Sequence, residues 1–324
     1  MNDSFGRIID YVRISVTDKC NLRCKYCMPV DVDHYEMKDI LTFEEIEYIT
    51  SCMAGLGISR VKLTGGEPLV RRGVCDLVGM LKRIEGIRQV TLTTNGILLK
   101  ENLHRLIEEG IDAINVSIDS LDHDKYFSIT GSKDLDTVTE AVVAAVEKGI
   151  KVKINAVTAG ISLTDVSDLI EFSRSNKIDV RFIELMPIGY AKCFDSLAHD
   201  RLMDWFCQNH PDAVHVSADG NGPAKYYRIP GYDGKVGFIS PLSDKFCNSC
   251  NRIRLTTRGY LKSCLCYDTG VDLMPLVRSD SSEEEKHEML CTAIRKAIME
   301  KPSGHDFAHT QNITEKLPMS AIGG

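Results

Sequence analysis

Three cysteines near the start of the chain have the spacing of a metal-cluster site. Cys20, Cys24 and Cys27 are separated by three residues and then by two. Three thiolates on one short loop can hold a four-iron, four-sulfur cubane by three of its irons, which leaves the fourth iron open to a small molecule. A structural zinc site would need a fourth ligand, for which His34 is the only local candidate. The spacing therefore favours a cluster that takes part in chemistry.

A second group of cysteines repeats this arrangement near the other end of the chain. Two residues separate Cys247 from Cys250, and thirteen separate Cys250 from Cys264. Three ligands again leave an iron open, whereas a zinc site would use Cys266 as a fourth ligand. The third ligand of a cluster could be Cys264 or Cys266, and the spacing favours Cys264.

The residues next to these cysteines suit a bound nucleotide. Arg252 and Arg254 share one face of a predicted strand, and the guanidinium fork matches phosphate oxygens, although a solvated strand face is the alternative. The run Gly65-Gly66-Glu67-Pro68 follows another predicted strand, where paired glycines let the backbone approach a ligand and Glu67 can pair with an ammonium group. Tyr26 could face an adenine.

The composition argues against several classes of protein. A net charge of −7 over 324 residues does not suit a general nucleic-acid binder, so an anionic ligand needs a local cluster of cations. No apolar run reaches the eighteen or so residues of a membrane span, and the polar N-terminus lacks a signal core, so we expect a cytoplasmic protein. In that compartment the twelve cysteines favour metal binding over disulfides.

Strand and helix patterns alternate six times through about residue 190, which predicts an α/β fold with a parallel sheet. Six units suggest a partial (β/α)6 barrel rather than a closed eight-unit barrel. We expect a barrel domain at residues 1–190, a smaller α+β domain with the second cysteine group at residues 191–310, and a tail at residues 311–324. The barrel strands are predicted at residues 11–16, 60–64, 89–93, 113–117, 151–155 and 180–185, with helices at residues 42–56, 74–84, 100–109, 137–148 and 165–175.

One face of these strands is polar. Side chains alternate between faces along a strand, and in five strands one face carries branched apolar residues such as Val12 and Ile14. The opposite face carries Arg13, Ser15, Lys62, Thr64, Thr91, Thr93, Asn115, Ser117, Lys153 and Asn155. Polar groups are not buried without partners, so we predict a polar cavity inside the barrel that holds a ligand. The alternative is an open sheet with one solvated face.

The motif Cys20-x3-Cys24-x2-Cys27, followed by Gly65-Gly66-Glu67-Pro68, resembles that of the radical S-adenosylmethionine superfamily. There, the open iron binds S-adenosylmethionine, and one electron from the cluster splits it to methionine and a 5′-deoxyadenosyl radical. The second cysteine group and the terminal Gly323-Gly324 resemble the GTP 3′,8-cyclase family of molybdenum cofactor biosynthesis, and this resemblance covers essentially the whole chain. It implies two [4Fe-4S] clusters and S-adenosylmethionine as cofactors, and GTP as the substrate.

The resemblance also implies a role for individual residues. Cys20, Cys24 and Cys27 would hold the first cluster, and Cys247, Cys250 and Cys264 the second. The implied contacts to S-adenosylmethionine are Tyr26, Gly66, Glu67, Ser117 and Met186. Those to GTP are Arg13, Lys62, Thr93, Lys153, Arg252, the backbone of Ile253, and Arg254. Arg13, Arg252, Arg254, Gly323 and Gly324 are the implied catalytic residues, although a frayed end is the alternative for the two glycines. The family often has arginine at the position of Lys62. Lysine keeps the positive charge there but lacks the two-pronged guanidinium group of arginine.

The implied reaction removes hydrogen from ribose C3′ of GTP, joins that carbon to guanine C8, and gives 3′,8-cyclo-7,8-dihydro-GTP. The implied partners are a one-electron donor of flavodoxin or ferredoxin type and the cyclic pyranopterin monophosphate synthase that takes the product. Two alternatives stay open: a peptide-modifying radical enzyme with an auxiliary cluster, and a zinc or iron–sulfur module without catalysis. The sequence leaves open whether the protein is a monomer or a homodimer.

Overall fold

The computed structural model of the chain describes residues 1–28, 34–217 and 222–323. Six strands alternate with helices in its first part, and each predicted strand and helix is present with shifts of a few residues at its ends. The strands are β1 (Tyr11–Ser15), β2 (Arg60–Thr64), β3 (Gln89–Thr94), β4 (Ala113–Ser117), β5 (Lys151–Val157) and β6 (Ile178–Ile183). The helices are α1 (Phe43–Gly55), α2 (Val74–Lys82), α3 (Leu99–Glu108), α4 (His123–Thr130), α5 (Leu135–Glu147) and α6 (Leu163–Phe172).

Local sequence explains where these helices begin. At the start of α1, the Glu45 N–H donates to Thr42 Oγ1 at 3.1 Å and the Thr42 N–H donates to Glu45 Oε2 at 2.7 Å, a reciprocal pair that confirms the predicted cap. Helix α4 was not among the helices predicted from the sequence. Its N-cap Asp122 accepts a hydrogen bond from the Lys125 N–H at 2.7 Å, and it ends at Gly131 with φ of +76°. Asp122 and Gly131 could have been recognised in the sequence as signals of a helix start and end. The helix spans only eight residues, which is too short for a clear apolar periodicity.

In the described residues after β6, the chain forms short strands and four α-helices. The strands are β7 (Val214–Val216), β8 (Lys225–Arg228), β9 (Val236–Ile239), β10 (Arg252–Leu255), β11 (Tyr260–Lys262) and β12 (Gly270–Asp272). The helices are α7 (His199–Asn209), α8 (Met274–Val277), α9 (Glu283–Met299) and α10 (Met319–Ile322). Across the described ranges, no helix combines the length and apolar character needed to span a lipid bilayer.

All twelve strands found in the described residues belong to one sheet. β1 to β6 are parallel neighbours in chain order, β10 adds in parallel beside β1, and β9 adds in parallel beside β6. Antiparallel pairs then extend both edges, through β11 and β12 on one side and β8 and β7 on the other. The α/β partial-barrel prediction is confirmed, but the expected C-terminal domain shares its sheet with the barrel. The boundaries at residues 190 and 310 stay a prediction.

The two faces of the parallel strands differ as the alternation predicts. The outer face is apolar and fully buried under the helices: Val12, Ile14, Val61 and Leu63 are each 0% exposed. Burial of each such side chain contributes about 1.5–3 kcal/mol to folding. The inner face carries the polar residues, and side chains from β1 to β6 meet across a single cavity. The sheet therefore curves around that cavity instead of exposing its polar face to solvent.

Candidate active site

The cavity enclosed by the sheet has a volume of about 390 Å³. Each of β1 to β6 contributes polar side chains from its inner face, and β10 adds two arginines. The predicted polar cavity is thus confirmed, and the solvated-face alternative is wrong. The predicted site residues that line it are Arg13, Lys62, Thr93, Ser117, Lys153, Met186, Cys247, Cys250, Arg252, Arg254 and Cys264.

The cavity carries a large excess of positive charge. Of the described residues that line it, nine are cationic and none is a carboxylate: Arg13, Arg60, Lys62, Lys151, Lys153, Arg181, Arg252, Arg254 and Lys301. Burial, and then the neighbouring Arg181 and Arg13, hold the pKa of Lys62 well below its usual value. Burial and Arg13 likewise lower the pKa of Arg254. These cations repel one another, so an anion bound among them would be strongly favoured.

Some of these cations have protein partners at the rim. Lys153 Nζ lies 3.3 Å from Asp179 Oδ2 and donates to the Tyr226 hydroxyl at 2.9 Å. Arg181 Nη2 donates to Asn115 Oδ1 at 2.8 Å. These contacts hold the side chains in place, and the carboxylate of Asp179 compensates only part of the local charge.

The first cysteine group lies on the loop after β1, beside the cavity. Its shape is fixed by the loop that follows β2: the Gly66 N–H donates to Thr17 O at 2.7 Å, and the Glu67 N–H donates to Lys19 O at 2.8 Å. A Cβ atom on Gly66 would lie 2.7 Å from Asp18 O and closer still to Lys19 O, so only glycine permits this approach. Gly66 therefore seats the cysteine loop.

The three thiols of this group are close enough to influence one another. Burial raises the pKa of Cys27 to about 12, with a further contribution from Cys20. Burial also raises the pKa of Cys24, helped by Cys27, and that of Cys20. Buried thiols this close to one another are readily deprotonated only when a metal cation binds to them and compensates the negative charge of the thiolates. This donor set fits an iron–sulfur cluster better than it fits free thiolates.

Glu67 and Tyr26 make contacts that the sequence analysis did not foresee. The Glu67 carboxylate is 1% exposed and accepts hydrogen bonds from Leu69 N at 2.9 Å, Thr94 Oγ1 at 2.8 Å and Asn95 N at 2.6 Å. Tyr26 donates its hydroxyl proton to Asp119 Oδ2 at 2.7 Å. Both side chains thus brace the loops around the cysteines, and their contact with S-adenosylmethionine stays a prediction.

The second cysteine group faces the cavity directly. Cys247, Cys250 and Cys264 line it, whereas Cys266 is 0% exposed and packs in an apolar cluster with Ile188. Burial by itself raises the pKa of a thiol, but Arg252 and Lys301 lower that of Cys250 to about 7. The geometry brings Cys264, not Cys266, to the other two thiols.

The C-terminal tail is docked inside the site. Ile322 is 0% exposed, and Gly323 accepts a hydrogen bond at its carbonyl oxygen from Arg254 Nη1. Gly323 has φ of +81°, and a Cβ atom there would lie 2.5 Å from Thr64 Oγ1. The backbone of Ser320 lies close enough to Cys27 to lower the pKa of its thiol, and Met319 lines the cavity, so the tail connects the first cysteine group with the cavity. The alternative of a frayed end is therefore wrong for the tail as far as Gly323. Gly324 lies outside the described residues.

Some expected residues lie elsewhere, and others were missed. The side chain of Ile253 is 1% exposed on the apolar face, so only its backbone is available. The missed cavity residues include Tyr11, Arg60, Lys151, Arg181, Lys301 and His305. Arg181 pairs in register with Asn155, so continuing the strand alternation into β6 would have found it. Lys301 and His305 lie after α9, where no local signal points to the cavity.

Comparisons with known proteins agree with this geometry. A family model described as the radical SAM superfamily matches residues 14–172, and one described as Molybdenum Cofactor Synthesis C matches residues 178–307. A GTP 3′,8-cyclase of Clostridium perfringens (strain SM101 / Type A) is 42% identical over 331 residues, and one of Alkaliphilus oremlandii is 41% identical over 330 residues. Each match covers 100% of both chains. The crystal structure of Streptococcus suis SuiB bound to S-adenosylmethionine is similar in fold, with a TM-score of 0.65 at 16% identity over 96% of this chain and 76% of that one.

Proposed function

Because the chain belongs to the GTP 3′,8-cyclase family of the radical S-adenosylmethionine superfamily, we propose that its cavity binds GTP and holds ribose C3′ against guanine C8 while they are joined. The product is 3′,8-cyclo-7,8-dihydro-GTP, at the first step of molybdenum cofactor biosynthesis. The protein is therefore an enzyme of the radical lyase type.

The excess of cations in the cavity is the observation that carries the proposal. Nine cationic residues and no carboxylate among the described lining residues suit the triphosphate of a nucleotide, although the whole chain has a net charge of −7. Arg13, Arg252 and Arg254 can each present a planar fork to phosphate oxygens. β1 and β10 are neighbours, with Arg13 opposite Arg254, so these forks approach one bound phosphate chain together.

We assign the remaining contacts to β2, β3 and β5, of which β2 lies directly beside β1. Lys62 and Lys153 extend the positive surface along β2 and β5, and Thr93 offers a hydroxyl from β3. The backbone of Ile253 is the remaining assigned contact. We add Arg181 to this set because its side chain lines the cavity and its charge lowers the pKa of Lys62.

We assign one [4Fe-4S] cluster to Cys20, Cys24 and Cys27 and a second to Cys247, Cys250 and Cys264. The proximity of each set of thiols supports this, and the position of Cys264 on the cavity wall with Cys247 and Cys250 supports it as the third ligand of the second cluster. When bound, the first cluster and S-adenosylmethionine supply the radical that starts the reaction. We assign contacts with that cofactor to Tyr26, Gly66, Glu67, Ser117 and Met186.

The residues of the chain position the substrate and keep water away. The docked tail closes the side of the cavity next to the first cysteine group, since Ile322 is 0% exposed and Met319 lines the cavity. Arg254 contributes both to the phosphate surface and to the tail through the Gly323 carbonyl. Substrate binding and tail position are thus joined at one guanidinium group, and excluding water protects a radical from side reactions.

We place the enzyme in the cytoplasm, where its free cysteines stay reduced. Its proposed partners are a one-electron donor of flavodoxin or ferredoxin type and the synthase that takes the product. A bound peptide, the substrate class of the alternative function, would gain little from a cavity lined by nine cations, eight of them buried or half-buried.

The test is a reaction of the anaerobically reconstituted protein with S-adenosylmethionine, a reductant and GTP. We expect about eight irons per chain and a cyclised nucleotide detected by mass spectrometry. Cys24→Ser should abolish cleavage of S-adenosylmethionine, and Cys250→Ser should retain some uncoupled cleavage without cyclised product. Cys207→Ser, an exposed cysteine on α7, serves as the matched control. Absence of cyclised GTP from protein with a full iron content would contradict the proposal.

A further inference from the structure

Three metal-binding side chains meet on the outside of the barrel, between α1 and α9. Cys52 lies on α1, and His287 and Cys291 lie on α9. One ligand atom from each falls within 4.8 Å of the other two. Cys291 Sγ lies 3.8 Å from His287 Nε2 and 3.9 Å from Nδ1. None of the three lines the cavity, so the function proposed above does not use them.

We propose that Cys52, His287 and Cys291 form a zinc site with two thiolates and one imidazole as ligands. Sulfur and imidazole nitrogen suit zinc and exclude hard cations such as magnesium and calcium. In a tetrahedral site with bonds of about 2.3 Å to sulfur and about 2.0 Å to nitrogen, the ligand atoms lie roughly 3.5–3.8 Å apart. The observed sulfur-to-nitrogen separations of 3.8 and 3.9 Å exceed the value of about 3.5 Å for such a pair by a few tenths of an ångström, which a small turn of the imidazole would close.

The fold holds two of the ligands and leaves the third adjustable. Cys52 is 0% exposed and Cys291 is 8% exposed, and both are fixed by the packing of α1 against α9, where Leu290 and Ile294 are also 0% exposed. His287 precedes Cys291 by four residues, so both side chains lie on one face of the helix. The imidazole is exposed and free to turn one nitrogen toward the two sulfurs.

The location of the site indicates its role. α1 follows the first cysteine loop in the chain, and α9 precedes the segment with Lys301 and His305. The Tyr48 hydroxyl already donates to Glu283 O at 3.1 Å across the same pair of helices. A zinc ion would fasten these helices together and leave its fourth position open to water. The open fourth position distinguishes the site from a closed four-ligand structural zinc site, and its ion is additional to the irons of the two clusters.

The experiment uses the holoenzyme with both clusters in place. Protein with a full iron content is given zinc sulfate under anaerobic conditions and desalted. Zinc and iron are then counted, and the zinc ligands are identified by X-ray absorption. We expect about one zinc per chain, with two sulfur ligands and one imidazole and no loss of iron. Zinc that does not stay bound, or a Cys52–Cys291 disulfide in place of the ion, would overturn the proposal.

Variants separate this site from the cluster cysteines. His287→Ala changes an exposed side chain, so it should fold normally and weaken zinc binding at least tenfold. Cys291→Ser should abolish retention of the ion. The matched controls are His104→Ala, an exposed histidine on α3, and Cys75→Ser, a buried cysteine on α2, and both should bind zinc as the unchanged protein does. Equal zinc retention in all four variants, or a site with three sulfur ligands, would assign the metal to other cysteines.

Discussion

The replacement Glu315→Gln is expected to release the C-terminal tail from the cavity without unfolding the barrel. Glu315 forms an ion pair with Lys262, and each side chain is only 2% exposed. Lys262 Nζ also donates to Tyr267 O at 2.7 Å, and Glu315 Oε1 accepts from the Leu317 N–H at 2.7 Å. This pair anchors the segment that runs on to Gly323.

The size of the effect follows from burial. Removing one partner of a buried ion pair costs about 3–5 kcal/mol, because the other charge stays buried without compensation. At about 1.4 kcal/mol per factor of ten, the docking equilibrium of the tail shifts by roughly 10²- to 4 × 10³-fold. Burial of Ile322 contributes only about 1.5–3 kcal/mol in the opposite direction. The cost is therefore relieved by local opening of the tail.

The assay is the initial rate of GTP cyclisation by reconstituted enzyme, together with hydrogen exchange of the tail amides. We expect at least a tenfold loss of rate and faster exchange in residues 315–323, with unchanged iron content. The double replacement Lys262→Met with Glu315→Leu removes both charges and should restore much of the docking. Glu140→Gln breaks the exposed pair with Lys100 and is the matched control, since such pairs contribute little. Wild-type turnover and wild-type exchange in Glu315→Gln would refute the reasoning.

Three further results are expected. Gly323→Ala should lose most turnover yet keep both clusters, because the new Cβ would lie 2.5 Å from Thr64 Oγ1 at a φ of +81°. Full turnover in this variant would show that the position of the tail does not affect catalysis. Cys264→Ser should reduce the iron content from about eight to about four per chain, whereas Cys266→Ser should leave it near eight, and the opposite pattern would reverse the assignment. Burial raises the pKa of Glu67 from 4.5 to about 7, so its proton is bound more tightly in the folded state. The free energy of unfolding should therefore fall as pH rises through this range. Urea unfolding at pH 5 and pH 8 should show a smaller fall for Glu67→Gln than for the unchanged protein. An equal fall in both proteins would contradict this role of Glu67.

The sequence by itself determined the features that depend on spacing along the chain. The gaps between Cys20, Cys24 and Cys27 are fixed by covalent connection, so the three thiols had to share one loop. The alternation of side chains in β1 to β5 required one polar face, since the period of a strand does not depend on its neighbours. The cap of α1 was predictable for the same reason, because Thr42 and Glu45 contact each other within one turn. These local rules gave the α/β class and the polar cavity.

Only the tertiary structure decided which distant segments meet. β10 lies beside β1, which sets Arg254 opposite Arg13, although about 240 residues separate them along the chain. The structure also sets Cys264 on the cavity wall and Cys266 beside Ile188, which supports the proposal of Cys264 as the third ligand. Glu67 turned toward Thr94 and Asn95, and Cys52 met Cys291 across two helices. Such contacts depend on how the outer face of the sheet packs against its helices. The free energy gained by burying apolar surface is roughly proportional to the buried area and does not depend on how far apart the residues lie in the sequence.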